Sequence, residues 1–450
     1  MREPHDEGSY DVVGVGIGPF NLALAALADP VPGLRTMFFD AKPRFSWHPG
    51  MLVDGAELQV PFLADLVTLV DPTSRWSFLN YLREHGRLFP FYFSERFHVP
   101  RREYEDYCRW VSGSLESCRF GATVTAIRYV GEDFELSYVD DGAVRTVMTR
   151  NVVLGVGTEP VNPAPFDQLL GQRVFHSADY LDRRAGLASA HDITVVGSGQ
   201  SGAEVLLDLL RAQPEHGWRL CWLSRAPAFA PMEYTKLGLE HFTPAYTTYF
   251  RSLPQAMRDR LLPSQWQLYK AISAETIAEI YDLLYDRSIG GQWPDVTIMP
   301  NVEVVNAYDR GACGLELTCR QIEQGQSFGV QTEAVVLATG YASRRPALLD
   351  PLADLIAWDG AGRYQIGDDY RVRFVDPGLR PGLYVQNAET HTHGVGAPDL
   401  GLGAHRASVI INSITGSTAY RPPERTSFTS FGAPSSHSTS KELHVAAGPR

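Results

Sequence analysis

Two glycine-rich turns, each entered from a short β-branched strand and left through an apolar helix, predict an α/β chain with two Rossmann-like dinucleotide-binding domains. Two further apolar runs that end in glycine flank the second turn and would carry the chain from one domain to the other.

The first turn lies in "YDVVGVGIGPFNLALAAL". A strand from Tyr10 to Val15 runs into Gly14, Gly16 and Gly18, and the helix that follows is apolar on several sides, as a buried helix would be. Glycines let the backbone turn sharply and approach a pyrophosphate, while the helix N-terminus offers free N–H groups and the positive end of its dipole. The next strand, "TMFFD", ends in Asp40, where an acid can bind a ribose diol. Pro19 stands at the third glycine position, so this turn is a variant of G-x-G-x-x-G.

The first crossing run is "NVVLGVGTEP", residues 151–160. The second turn, "ITVVGSGQSGAEVLLDL", meets the strict spacing with Gly197, Gly199 and Gly202, and places Ala203, Leu206, Leu207 and Leu210 on one helix face. Its second strand, "RLCWLSRAP", ends in Ser224 and Arg225 instead of an acid. A carboxylate there would repel a 2′-phosphate that a guanidinium can grip, so NADPH is the expected second nucleotide and Arg225 its reader. Residues 230–290 are mostly helical and too long for an ordinary connection, with Ile277, Ile280, Tyr281 and Leu284 on one face; they form an insertion that walls the substrate site. The second crossing run, "EAVVLATGY", spans Glu333 to Tyr341 and carries Thr339 and Gly340. The expected organisation is a split FAD-binding domain, 8–165 and 331–416, with an NADPH-binding domain, 166–330, inserted in it. A tail, 417–450, rich in Ser, Thr and Pro after Pro422, is expected to be partly disordered.

Composition narrows the function. Apolar residues at 44% and charged residues at 20% are ordinary globular values, and the net charge of −12 argues against a nucleic-acid surface while suiting a cationic small substrate. No run approaches the roughly 18 apolar residues of a membrane span, and "MREPHDEGSY" does not read as a secretory signal, so a cytoplasmic location without a membrane partner is expected. The five cysteines are scattered and never spaced C-x-x-C, which excludes a redox dithiol and gives no metal site. Flavoproteins with two dinucleotide turns divide mainly into disulfide reductases, which need that dithiol, and monooxygenases. The second class remains. "VFHSADYL", with His176, Ser177 and Tyr180, is similar to part of the flavin-monooxygenase fingerprint, though the upstream glycine is missing.

The segments "DVVGVGIGPFNLALAAL", "FSWHPGMLVDGAELQVPFLADLVTLVDPTSRWSFLNYL", "EYEDYCRWV", "ITVVGSGQSGAE", "EAVVLATGYASRRP" and "THGVGAPDLGLGAHR" together resemble the siderophore-pathway amine N-hydroxylases, the lysine and ornithine N-monooxygenases, in order over about residues 10–415. The resemblance implies the class B flavin monooxygenase architecture. It implies FAD ligands at Gly14, Gly16, Gly18 and Asp40, with Trp47, His48 and Gln59 beside the isoalloxazine, and NADPH contacts at Gly199, Gln200 and Ser201. Glu333 stands where the family usually has Asp, and Pro346 is in place. The implied reaction is transfer of oxygen from a C4a-hydroperoxyflavin to an amine nitrogen, protected from water by retained oxidised nucleotide, with no side chain named as acid–base catalyst.

One departure bears on the substrate. The residue aligned with Ala64 is typically a lysine that meets an amino-acid carboxylate, so its replacement by a methyl group points to a diamine, cadaverine or putrescine. The frame resembles the diamine N-hydroxylases of desferrioxamine-type pathways more than the lysine enzymes. An acid in "APMEYTKLGLEH", Glu233, is expected to meet the far ammonium. Lysine or ornithine, with Lys236 serving the carboxylate, is the alternative; an inactive flavin-binding protein or an uncoupled NADPH oxidase is a third. A homo-oligomer is compatible with the sequence.

Overall fold

The computed structural model describes residues 9–433. Strand β1 (Tyr10–Val15) enters the first glycine turn, helix α1 (Pro19–Ala28) leaves it, and β2 (Thr36–Asp40) returns parallel to β1 with Val12 opposite Thr36 and Val15 opposite Phe39. Nearly every side chain of α1 is buried, because the helix is sandwiched between this sheet and α2 (Arg101–Ser114) on one side and the last helix of the chain on the other.

Strand β3 (Cys118–Phe120) extends the sheet beyond β2, and an antiparallel ribbon of β4 (Ala122–Val130) and β5 (Asp133–Asp140) leads into β6 (Ala143–Leu154). The β5–β6 turn is Asp141-Gly142, both at positive φ (48° and 77°), a backbone shape that matches the twist of a tight hairpin. The twelve residues of β6 serve two partners in succession. Its first half pairs antiparallel with β5, and "NVVL" at its end pairs parallel with β1 and, on the other edge, with the late strand Gly382–Val385. Val152 and Val153 are fully buried, as expected of a strand covered on both faces.

The second sheet is wholly parallel. Its strands are β7 (Val174–His176), β8 (Asp192–Val196), β9 (Arg219–Leu223), β10 (Val296–Met299) and β11 (Ala334–Leu337), ordered β7-β11-β8-β9-β10. Helix α3 (Gln200–His216) leaves the second glycine turn between β8 and β9, and the insertion between β9 and β10 ends in helix α4 (Ala274–Ser288), which packs along α3. A three-stranded antiparallel sheet over residues 302–332 precedes β11. The chain then recrosses to the first sheet through β12 (Gly382–Val385) and ends its ordered core in α5 (Gly403–Thr415).

One boundary differs from the sequence reading. The second crossing run does not open the FAD-binding half at residue 331: β11 lies in the second sheet, with Val335 opposite Thr194 and Leu337 opposite Val196, and the crossing falls after Ala338. A short, fully apolar strand carries no periodicity to say which of two parallel sheets it enters, so this could not be read. The first part of the tail makes contact with the insertion. The Glu240 carboxylate accepts the N–H groups of Phe428 (2.7 Å) and Thr429 (2.8 Å), and the Phe431 ring packs edge-on against Tyr246 at 5.0 Å. The expected disorder of residues 434–450 lies outside the described residues.

Among the described residues no helix is long and apolar enough to cross a membrane, no group of His, Cys, Asp and Glu could hold a metal ion, and the cysteines are free.

Candidate functional site

Both glycine turns have the shape a pyrophosphate needs. Gly16 adopts φ +86°, and a Cβ there would stand 2.5 Å from the Gly155 carbonyl oxygen; at Gly18 the nearest atom is 4.0 Å away, leaving open space above the turn. No side chain caps α1, so its first-turn N–H groups are available to a ligand, and Pro19 takes the N1 position, where a missing N–H loses no helix bond. Asp40 sits against the turn: its Oδ2 accepts the Ile17 N–H at 2.8 Å and its Oδ1 that of Lys42 at 2.8 Å. The sequence reading missed Asn21. Fully buried, it donates through Nδ2 to the carbonyls of Val15, Gly16 and Val153, and its Oδ1 accepts from Gln386, so one amide holds the turn, β1 and β6 together. A buried Asn inside an otherwise apolar helix was the available signal.

In the second turn Gly197 has φ +132°, and its Cβ would meet the Ala338 carbonyl oxygen at 2.1 Å. A Cβ on Gly202 would stand 2.5 Å from the Gly197 oxygen, the close helix–strand approach for which a third glycine is kept. Gly199 precedes α3, again with no side-chain cap, and Ser201 lies in the first turn of that helix. Gln200 is spent otherwise. Its Oε1 accepts the Ser273 N–H (2.8 Å), and its Nε2 donates to Thr276 (3.0 Å) and Glu204 (2.8 Å), tying α3 to the insertion and leaving its backbone N–H for a nucleotide. Arg225 is exposed at the end of β9 with no partner among the described residues, free to meet a phosphate.

Near the crossing lies a chain of aromatic rings. His48 holds a left-handed conformation (φ 48°) and its ring stands edge-on to Trp47 at 5.1 Å and to Tyr341 at 5.4 Å, while Tyr341 meets His176 at 5.0 Å. Desolvation of the ring, with the cations Arg101 and Lys42 nearby, pushes the His48 imidazole down to about 4, although the residue as a whole keeps solvent exposure. The Gln59 Nε2 is buried without a hydrogen-bond partner. That orphaned donor, the open turn at Gly18 and the uncapped helix fit a bound flavin dinucleotide with acceptor atoms on its ring. Thr339 and Gly340 secure the crossing: the Thr339 hydroxyl donates to the Val161 carbonyl (2.5 Å), and the Gly340 carbonyl accepts the Val161 N–H (2.9 Å) and faces His176 Nε2 (3.1 Å).

Ala64 is buried, at 6% exposure, and packs beside Gly401 on the loop before α5. Glu233 lies in the segment that opens the insertion. Its carboxylate accepts the Thr235 N–H at 2.7 Å, a local turn bond that also lowers its proton affinity.

A charged pair ties the two halves of the chain together. Arg101, at the start of α2, forms a bidentate pair with Glu204 on α3, both contacts at 2.7 Å and the carboxylate side chain 5% exposed. Burial raises the Glu204 carboxyl, and Arg101 opposes that shift.

Comparisons with known proteins agree with this geometry. Residues 8–343 match the family described as L-lysine 6-monooxygenase/L-ornithine 5-monooxygenase. The putrescine N-hydroxylase of Shewanella oneidensis is 41% identical over 432 residues, covering 95% of this chain and 85% of that protein. The rhizobactin siderophore biosynthesis protein RhbE of Rhizobium meliloti is 42% identical over 448 residues, covering 96% and 97%. The crystal structure of FAD-bound DfoA, the desferrioxamine biosynthetic pathway cadaverine monooxygenase of Erwinia amylovora, superposes with a TM-score of 0.91 at 40% identity, covering 95% of this chain and 99% of that one. The ornithine N-hydroxylase KtzI of Kutzneria sp. 744, solved with reduced FAD, NADP+ and L-ornithine, gives 0.85 at 32% identity, covering 91% and 99%.

Two outcomes are expected of the nucleotide turns. Gly16→Val fills the first turn and forces a branched residue to positive φ, so the purified variant should lack flavin absorbance; Gly199→Val should keep the flavin yet resist reduction by NADPH. The opposite pattern would exchange the two assignments. Arg225→Ala should lower the preference for NADPH over NADH by about tenfold to a hundredfold, the usual worth of a charge-assisted phosphate contact. Full discrimination in that variant, measured from flavin reduction with each nucleotide, would mean that another cation reads the phosphate.

Proposed function

Because this chain belongs to the lysine/ornithine monooxygenase family, we propose that it N-hydroxylates a primary aliphatic diamine, cadaverine or putrescine, to supply a hydroxylamine for hydroxamate siderophore synthesis. It is a flavin-dependent N-hydroxylating monooxygenase that uses FAD and NADPH. FAD, when bound and reduced by NADPH, would activate molecular oxygen for transfer to the amine nitrogen.

The chain's own residues have three tasks. The first turn, with Asp40 and Asn21 behind it, holds the flavin dinucleotide, and the second, with Arg225, holds NADPH. Trp47, His48 and Tyr341 line the reacting end. The amine must arrive with its lone pair free, yet with a reference pKa near 10.4 only about one alkylamine in a few thousand is neutral at pH 7, a deficit of roughly 4 to 5 kcal/mol. An imidazole that stays uncharged here adds no positive charge against the incoming cation.

The observation that carries the diamine reading is Ala64. A buried methyl offers a carboxylate nothing, and burying a carboxylate without its cation costs roughly 3 to 5 kcal/mol. The names of the relatives favour the same reading: proteins described as acting on putrescine or cadaverine are 40–41% identical, against 34% for an L-lysine N6-monooxygenase from Escherichia coli and 32% for the ornithine enzyme above.

The test is hydroxylamine yield, rather than NADPH consumption, with cadaverine, putrescine, lysine and ornithine side by side, in wild type and in Ala64→Lys. Wild type should favour a diamine over both amino acids by about two to three decades, and Ala64→Lys should narrow that gap. A wild-type preference for lysine or ornithine would overturn the diamine reading, and NADPH consumption without hydroxylamine from any of the four would point to an uncoupled oxidase.

A further inference from the structure

On the diamine reading above, one amine reacts and the other enters as an ammonium that needs an anion. We propose that Asp399 is that anion and sets the preference for diamines over monoamines.

Asp399 opens the short turn Leu400–Leu402 that precedes α5, and its Oδ1 accepts the Gly401 N–H at 2.8 Å. Only backbone N–H groups meet the carboxylate; no ion-pair partner reaches it among the described residues. Its position ties it to Ala64. A Cβ built on Gly401 would stand 2.8 Å from Asp399 Oδ1 and 3.8 Å from the Ala64 Cβ, so the carboxylate and the methyl flank one glycine, with no side chain at that point to part them. Tyr234, at the entrance to the insertion, lies within the electrostatic reach of Asp399: burial raises its hydroxyl most, and Glu275 and Asp399 raise it further.

The loop is rigidly seated. Arg406, 1% exposed, pairs with the fully buried Glu389 at 3.0 Å, donates to the Ala397 carbonyl at 2.6 Å and stacks over Phe20 at 4.6 Å, while Phe250 of the insertion packs against Gly394 and Val395. Asp399 is thus fixed two residues beyond an anchored carbonyl. Its cap alone does not call for a charge, since Asn caps such turns as well as Asp. The charge here is costly: burial lifts the carboxyl to about 6, opposed by the Gly401 N–H and by Arg406. A bound alkylammonium supplies the missing counter-charge, in the place where a lysine would otherwise neutralise it. Asp399 thereby takes the role that the sequence reading gave to Glu233.

The experiment compares kcat/KM for hydroxylamine formation from cadaverine and from 1-aminopentane, which has the same chain without the second amine, in wild type, Asp399→Asn and Ala64→Lys. Asn keeps the cap and removes the charge. The cadaverine preference of wild type should fall about tenfold to a hundredfold in Asp399→Asn, through a raised KM for cadaverine, while the 1-aminopentane value moves far less. Ala64→Lys, which places an ammonium beside an intact Asp399, should erase the same preference and decides the matter if Asp399→Asn fails to hold FAD. A wild type that favours diamines together with a preference preserved in the variants would overturn the role of Asp399 and leave the diamine reading standing. A wild type that favours lysine or ornithine would overturn both.

Discussion

The paired contact between Arg101 and Glu204 is the constraint on which the geometry of the site depends. It joins the first turn of α2, in the flavin half, to the second turn of α3, the helix that would carry the NADPH pyrophosphate. A buried carboxylate stripped of its guanidinium costs about 3 to 5 kcal/mol, so the two halves cannot separate or slide without exposing or abandoning that charge. Packing adds to the pair. A Cβ on Gly50 would overlap the Ala178 carbonyl oxygen at 1.9 Å, and Met51, Val53 and Ala56, which belong to the first half by sequence, are buried in the core beneath the second sheet. Gln200 extends the same network into the insertion. Hydride transfer requires the reacting atoms within about 3 to 3.5 Å, a tolerance that a loosely hinged pair of domains does not meet.

The same logic governs the substrate end. Loop 394–402 lies between the flavin half and the insertion, and neither alone would order it. Arg406 reaches it from α5, and the aromatic cluster of Tyr246 and Phe250 presses on it from the insertion, with the tail residue Phe431 packed behind. A buried ion pair such as Arg406–Glu389 contributes little net stability against an apolar pair of the same volume, but it fixes one arrangement of the backbone, and a site that must distinguish a methyl from an ammonium by a few ångströms needs that fixity.

Much of this was legible in the sequence because it is written in local signals. Glycine spacing, strand composition and the acid or base at a strand end each follow from a nucleotide's shape, and the structure has both turns where those signals put them. Long-range partnership left no such trace. Arg101 and Glu204 are 103 positions apart and each resembles an ordinary surface charge on an amphipathic helix. Asn21 reads as an interruption of an apolar helix until Val153 and Gln386 are seen around it. Gln200 was singled out by family register, which says where a side chain starts but not which neighbour takes its hydrogen bonds. Strand β11 was misassigned because its apolar run fits either sheet.

The central claim is that the Arg101–Glu204 pair sets the register between the two nucleotide sites and so the rate at which electrons reach the flavin. The direct measurement is anaerobic stopped-flow reduction of bound FAD by saturating NADPH in Glu204→Gln, which removes the charge and keeps the shape. The account predicts a variant that retains its flavin absorbance and its affinity for NADPH while the limiting reduction rate falls by about tenfold or more, within the roughly hundredfold that a misplacement of about 1 Å can cost. A limiting rate equal to that of wild type, with the pair broken, would contradict it and would mean that packing around Gly50 and Met51 alone fixes the two halves.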